Sequence, residues 1–199
     1  QRLAVRLAVF YMDRKNVQIK GWYNEGPLFV GYVDNAASGK NKGAELETIY
    51  TFNEHINVFA NIGLLRTEIN DYEILGDGGL EDKSGRDQAH APYYQFNLGT
   101  AFSFGPGFYG RLEVDGKDDF YFSDSHDQQS DKYTLIHARL GWAYEGFDIA
   151  LWGRNLSDQD YQTRGFYFGN DPRTFYEDSA YYQYGEPRTF GVQMRYSFE

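Results

Sequence analysis

No cysteine occurs in the 199 residues. That excludes disulfides, thiol catalysis and cysteine-held metals. Proline is scarce, at 5, and no stretch approaches the roughly 20 consecutive apolar residues that a membrane-crossing helix requires. The mean hydropathy, -0.65, is correspondingly polar. Positive charge is also short. Against 29 Asp and Glu stand 19 Lys and Arg, a net of -10, and this argues against a nucleic-acid partner, which would call for a basic face. The lack of a long apolar run excludes a helical membrane protein only. A spanning β-strand needs about 9 to 11 residues, with every second one apolar, so a membrane barrel can look polar on average. What the chain has in quantity is Tyr (18), Phe (16) and Gly (22), the residues of strands and turns. Its length suits one domain. No signal peptide is visible at Gln1, so the chain reads as a mature or internal piece.

Period-two alternation recurs eight times: Leu3 to Tyr11, Gly43 to Phe52, Ile56 to Leu64, Tyr94 to Phe104, Phe108 to Asp115, Tyr133 to Tyr144, Phe147 to Arg154, and Phe190 to Phe198. In Tyr133 to Tyr144 one face carries Ile136, Ala138, Leu140 and Trp142, and the other carries His137, Arg139 and Gly141. The connections alternate in length. Asn53 to His55, Gly105 to Gly107 and Glu145 to Gly146 are tight turns by composition, whereas Ile19 to Leu28, Asn70 to Ala91, Phe122 to Lys132 and Leu156 to Pro187 read as long loops. Tight turns at one rim and long loops at the other match an outer-membrane barrel. Tyr50, Phe52, Phe102, Phe104, Phe108, Trp142, Tyr144, Phe147, Tyr196 and Phe198 all border the short-turn rim, as an aromatic girdle does. The expected fold is therefore all-β, an antiparallel up-and-down transmembrane β-barrel of about eight strands.

Charge is sorted as well. The three loops 70–91, 118–132 and 156–187 carry seventeen acidic residues against five basic ones. The opposite face of the strands carries Arg111, Glu113, Asp115, Arg139, Asp148 and Arg154, residue types suited to cross-strand ion-pair ladders or to holding a lumenal domain. No catalytic constellation is visible. Asp124, Ser125, His126 and Asp127 contain a triad's ingredients, but neighbours on one loop do not align nucleophile, base and orienting acid. Asp71, Glu73, Asp77, Glu81 and Asp82 lack a calcium-loop pattern and read as solvated surface. The last loop differs. Arg164, Phe166, Tyr167, Arg173, Tyr176, Tyr181 and Tyr182 combine rigid aromatic area with planar cations, a composition suited equally to gripping an anionic chelate and to packing the loop on its neighbours.

Four segments together resemble the C-terminal part of a TonB-dependent outer-membrane receptor: GAELETIYTFNEHINVFANIG (43–63), APYYQFNLGTAFSF (91–104), WGRNLSDQDYQTRGFYFG (152–169) and GEPRTFGVQMRYSF (185–198). The likeness rests on the Gly-x-Glu strand, the Ala-Pro entry, the Asn-Leu-x-Asp-x-x-Tyr segment and the Gly-x-Pro-Arg lead, in that order. It implies that residues 1–199 form the last part of a 22-stranded barrel of a Gram-negative outer membrane. It implies partners too: a plug domain and the remaining strands, the TonB complex reached through an N-terminal part, outer-membrane lipid and lipopolysaccharide, and an iron-siderophore or similar scarce nutrient. No cofactor and no enzymatic activity are implied. The alternative readings are a self-contained eight-stranded membrane barrel with a structural, adhesive or enzymatic role, and a soluble lipocalin-like binder. A barrel fragment requires two free sheet edges, whereas a self-contained barrel requires Leu3 to Tyr11 to pair with Arg188 to Phe198.

Overall fold

The computed structural model describes residues 2–25, 28–76 and 79–198. Eight strands form one antiparallel sheet: β1 (Leu3–Glu25), β2 (Leu28–Asn53), β3 (Ile56–Asn70), β6 (Tyr94–Phe104), β7 (Phe108–Lys117), β8 (Tyr133–Tyr144), β9 (Phe147–Arg154) and β12 (Thr189–Tyr196), neighbours in that order. Two hairpins stand outside it, β4 (Glu73–Gly76) with β5 (Gly79–Asp82), and β10 (Gln162–Phe168) with β11 (Ser179–Tyr184). Among the described residues β1 pairs only with β2, and β12 only with β9. The sheet is open, with two free edges.

Register explains why alternation was such a reliable guide. Leu7 faces Leu46, Leu46 faces Ile62, and Ile62 faces Phe96; farther round, Leu140 faces Leu151, which faces Val192. A slip of one residue in any strand would turn its apolar set to the other face, so the match across eight strands fixes a single apolar surface. That surface is bare: Val9 is 76% exposed, Leu7 68% and Phe190 69%. An apolar face this continuous is unfavourable in water and suits hydrocarbon. At its short-turn rim the aromatic rings touch in series, Phe104 to Phe108 at 5.3 Å, Phe108 to Trp142 at 6.5 Å and Phe147 to Tyr196 at 4.5 Å. The Trp142 indole donates to the Pro106 carbonyl at 3.1 Å, keeping its polar edge at the turn.

The polar face is filled differently from the expected ion-pair ladder. Arg6 does pair with Glu47 across β1 and β2 (3.2 Å), but Arg111 and Arg139 sit directly opposite one another on β7 and β8. Each finds a partner elsewhere. Arg111 binds Glu113 on its own strand (2.7 Å) and covers the Phe59 ring at 4.5 Å, while Arg139 donates to Gln193 at 2.9 Å, past the small Ala150. Tyr109 donates to Asp148 at 2.6 Å, and Asp115 holds His137 at 2.8 Å. Several inward aromatics lie across glycine on the next strand: Phe10 over Gly43, Phe59 over Gly99, Tyr109 over Gly141 and Trp152 over Gly191. Glycine there leaves the space that the ring occupies.

The loop expectations need correction. Residues 19–28 do not form a long loop. β1 runs on to Glu25 and β2 begins at Leu28, with register shifts between Arg14 and Val17 and between Val17 and Ile19; residues 26–27, the rest of that expected loop, lie outside the described residues. The sequence of these extensions carries no one-sided apolar alternation, so the period-two signal ends although backbone pairing does not. Residues 70–91 and 156–187 likewise hold hairpins of their own. The last strand stops at Tyr196, two residues earlier than its alternation suggests, although the Ser197 amide still donates to the Gly146 carbonyl at 2.9 Å. The buried hydrophobic cluster lies at the loop end, where Ile19, Ile69, Tyr72 and Ile74 pack together with Val17 against them.

Candidate functional site

The loop between β9 and β12 begins and ends on one residue. Asn155 is 2% exposed; its side-chain amide donates to the carbonyls of Gln159 (2.9 Å) and Glu186 (3.1 Å), and its carbonyl oxygen accepts from the Gln159 amide at 3.0 Å. Three residues on, Asp158 accepts from the Arg188 backbone at 3.1 Å and pairs with its guanidinium at 3.0 Å. Tyr161 lies against Gly185 and 4.6 Å from the Tyr133 ring. The Asn-Leu-x-Asp-x-x-Tyr and Gly-x-Pro-Arg segments, far apart in sequence, are thus two halves of one clamp.

From that clamp projects the β10–β11 hairpin, and its own alternation sorts the candidate residues. Gly165 pairs with Tyr182 and Tyr167 with Ala180, and this face lies on the neighbouring loop. Gly165 abuts Phe122, the Tyr182 hydroxyl donates to Gln128 at 3.0 Å, and the Tyr167 ring is 6.3 Å from His126. The other face carries Arg164, Phe166 and Tyr181. Arg164 stands over Phe166 at 5.4 Å, and Phe168 joins Phe166 (6.5 Å) to Tyr181 (5.2 Å). Arg173 and Tyr176 belong to the tip, beyond the strands. There Arg173 grips Asp171 at 2.7 Å with its side chain 88% exposed, and the bond holds the Asp171 carboxyl below its usual range. Phe175 and Tyr176 both have positive φ, 55° and 62°, and are 91% and 64% exposed. Five of the seven candidates therefore share the hairpin strands, divided between two faces, and two share its tip.

Residues that sequence reasoning passed over hold the other loops in place. Arg86, with a side chain 9% exposed, pairs with Asp127 (3.0 Å), donates to the carbonyls of Ser123 and His126 (3.2 and 2.9 Å) and covers the Tyr121 ring at 4.0 Å. Lys83 also binds Asp127 and Glu81, both at 3.1 Å. Burial opposes its charge, but these two carboxylates raise its pKa on balance. Ala89 donates to Asp124 at 2.7 Å. Burial lowers the pKa of His90, helped by the positive charges of Arg164 and Lys117, and burial with Arg86 lowers that of His126. The signal available in the sequence was that Lys83 and Arg86 are the only cations in a loop with six acids. Among the described residues no group of three His, Asp or Glu is gathered to hold a metal; Asp77 lies outside them.

Residues 1–156 match the family model of the TonB-dependent receptor-like β-barrel. The chain belongs to that family. Among curated proteins it is similar to the pesticin receptor of Yersinia pestis, 25% identical over 200 residues, covering 98% of this chain and 27% of that protein. Among solved structures it superposes on the ferric yersiniabactin uptake receptor FyuA of Yersinia pestis (TM-score 0.78, 24% identity, 100% of this chain and 28% of that one). It also superposes on the siderophore receptor PiuA of Acinetobacter baumannii (TM-score 0.76, 18% identity, 98% and 26%). The chain spans about a quarter of the length of these relatives. The family consists of outer-membrane receptors of Gram-negative bacteria, not enzymes, which places the bare apolar face in lipid and the long loops outside the cell.

Proposed function

We propose that residues 1–199 are the C-terminal part of the barrel domain of a TonB-dependent importer of a ferric siderophore. The whole receptor would have 22 strands around a plug and be energised through TonB. The support is an open sheet whose two edges call for further strands, since unpaired backbone is costly in lipid. The uptake receptors of similar fold, for ferric yersiniabactin and for siderophores, favour this cargo class.

The observation that carries the ligand reading is the two-sided hairpin. Gly165 and Tyr182 dock it against Phe122 and Gln128, while Arg164, Phe166 and Tyr181 on the other face, with Arg173 and Tyr176 at the tip, present cations and aromatic rings, Arg164 near His90 of the loop 70–91. A planar guanidinium beside a ring suits an anionic, aromatic-bearing chelate. In the intact receptor, Arg164→Gln combined with Arg173→Gln should weaken ferric-siderophore binding about tenfold or more, read by binding titration and by growth under iron limitation. Tyr182→Phe should leave binding nearly intact while loosening the hairpin to protease. Wild-type binding by the double-arginine variant would overturn the assignment of these residues. Expression of the receptor unchanged by iron starvation would turn the cargo toward another nutrient.

A further inference from the structure

Charge over the long loops is unevenly spent. Their five cations are Lys83, Arg86, Lys132, Arg164 and Arg173, against seventeen acids. Lys83 and Arg86 share Asp127, Lys132 acts on the Asp118 carboxylate, and Arg173 closes on Asp171 through both Nε (2.9 Å) and a terminal nitrogen (2.7 Å). Arg164 is left. It is exposed, lies over Phe166 and forms no ion pair among the described residues. The neighbouring His90 adds no charge near pH 7, because burial, with Arg164 and Lys117 nearby, lowers its pKa, and Lys117 itself lies over the Phe120 ring at 5.5 Å. On the same hairpin Glu177 and Asp178 are exposed and form no ion pair among the described residues, so residues 162–184 are net negative.

Beside this one open cation stands a large aromatic area. Phe166, Phe168 and Tyr181 adjoin in series, and at the tip Phe175 is 91% exposed although its φ of 55° is one that glycine adopts at lower cost. A ring held in water at a strained position has its use outside the chain. Such a surface offers stacking and a single charge-assisted contact, and it repels a polyanion. The Debye length at physiological salt is about 8 Å, so the hairpin's own carboxylates act on a docked ligand while distant ones are screened. Ferric chelates divide sharply on these two properties. Three catecholates bring rings but leave the complex strongly anionic; a polycarboxylate is anionic and has no ring; hydroxamates give a neutral or cationic complex, again without a ring. One phenolate, with a carboxylate and neutral nitrogen donors, gives a ring-bearing complex of low charge.

We propose that the hairpin selects a phenolate-bearing ferric chelate of low net charge, its ring against Phe166, Tyr181 and Phe175 and its anionic group on Arg164. This rests on the siderophore reading of the site and narrows it to one class. The test titrates the intact receptor in detergent, at low and high salt, with four ferric complexes: a hydroxyphenyl-thiazoline carboxylate, a tris-catecholate, citrate and a tris-hydroxamate. The first should bind about tenfold or more tighter than the others, with little salt dependence, and the tris-catecholate should bind better as salt rises. Glu177→Gln with Asp178→Asn should tighten the tris-catecholate severalfold and leave the hydroxyphenyl chelate nearly unchanged. Phe175→Gly, which relieves the positive φ, should weaken the hydroxyphenyl chelate severalfold without making the tip more open to protease. Tightest binding of the tris-catecholate, citrate or tris-hydroxamate, or no change in either variant, would overturn this class while leaving a siderophore as cargo. Binding of none of the four would instead overturn the siderophore reading itself, and this inference with it.

Discussion

His90 and His126 sit inside the packed loops with their pKa values below the ordinary value of about 6.5, because burial disfavours their charged forms and cations stand nearby: Arg164 and Lys117 for His90, Arg86 and Lys83 for His126, against Asp124 and Asp127. The open state takes up protons near pH 6.5 and the docked state only lower, so the open state holds more protons in between and docking weakens as pH falls below about 6.5. Protection factors at residues 118–132 and 162–184, corrected for the intrinsic pH dependence of amide exchange, should therefore be lower at pH 5.5 than at pH 7.5; equal protection factors would show that these imidazoles do not govern docking. Little of this was legible in the sequence. His126 could be seen within an Asp-Ser-His-Asp run and weighed against catalysis, but its role as a buried neighbour of Arg86 depends on a loop more than thirty residues away.

At the scale of elements, the clamp makes a specific demand. Asn155 uses both ends of its amide, so Asn155→Ala removes four bonds and leaves the Ser157 hydroxyl, the Gln159 amide and the Gln159 and Glu186 carbonyls short of partners. The expected cost is about 1–3 kcal/mol, seen as faster proteolysis within 162–184 while the barrel stays folded; an unchanged cleavage rate would reduce the clamp to decoration. The eight sheet strands could be read from the chain because lipid on one face enforces strict alternation. The outer halves of β1 and β2 could not, since backbone pairing persists there after the one-sided apolar demand has ended. The β10–β11 hairpin escaped notice for a related reason. Its two faces are both aromatic, one meeting Phe122 and the other exposed, so composition gave no contrast from which to read a period.

For the molecule as a whole, the decisive property is that the sheet does not close on itself. These 199 residues contain no native cysteine, so no thiol within them competes with an introduced pair. In the intact receptor, Leu7→Cys with Leu46→Cys should form a disulfide, these residues being direct partners on β1 and β2. Leu7→Cys with Val192→Cys should form none, since on the proposed reading those edges meet other strands; an efficient cross-link in the second pair would indicate a self-contained eight-stranded barrel. The sequence carried the open architecture only through its resemblance to longer receptors, because alternation counts strands and is silent on what each edge strand touches.

The joining of residues 155–161 to 185–188 also bears on how such a protein can change over time. With entry and exit tied to each other and to β8 through Leu156 and Thr134, the segment between them is a cassette mounted on fixed posts. Its length and composition can change while the wall beneath keeps its register, so that, on the proposed ligand reading, one cargo could be exchanged for another without refolding the barrel.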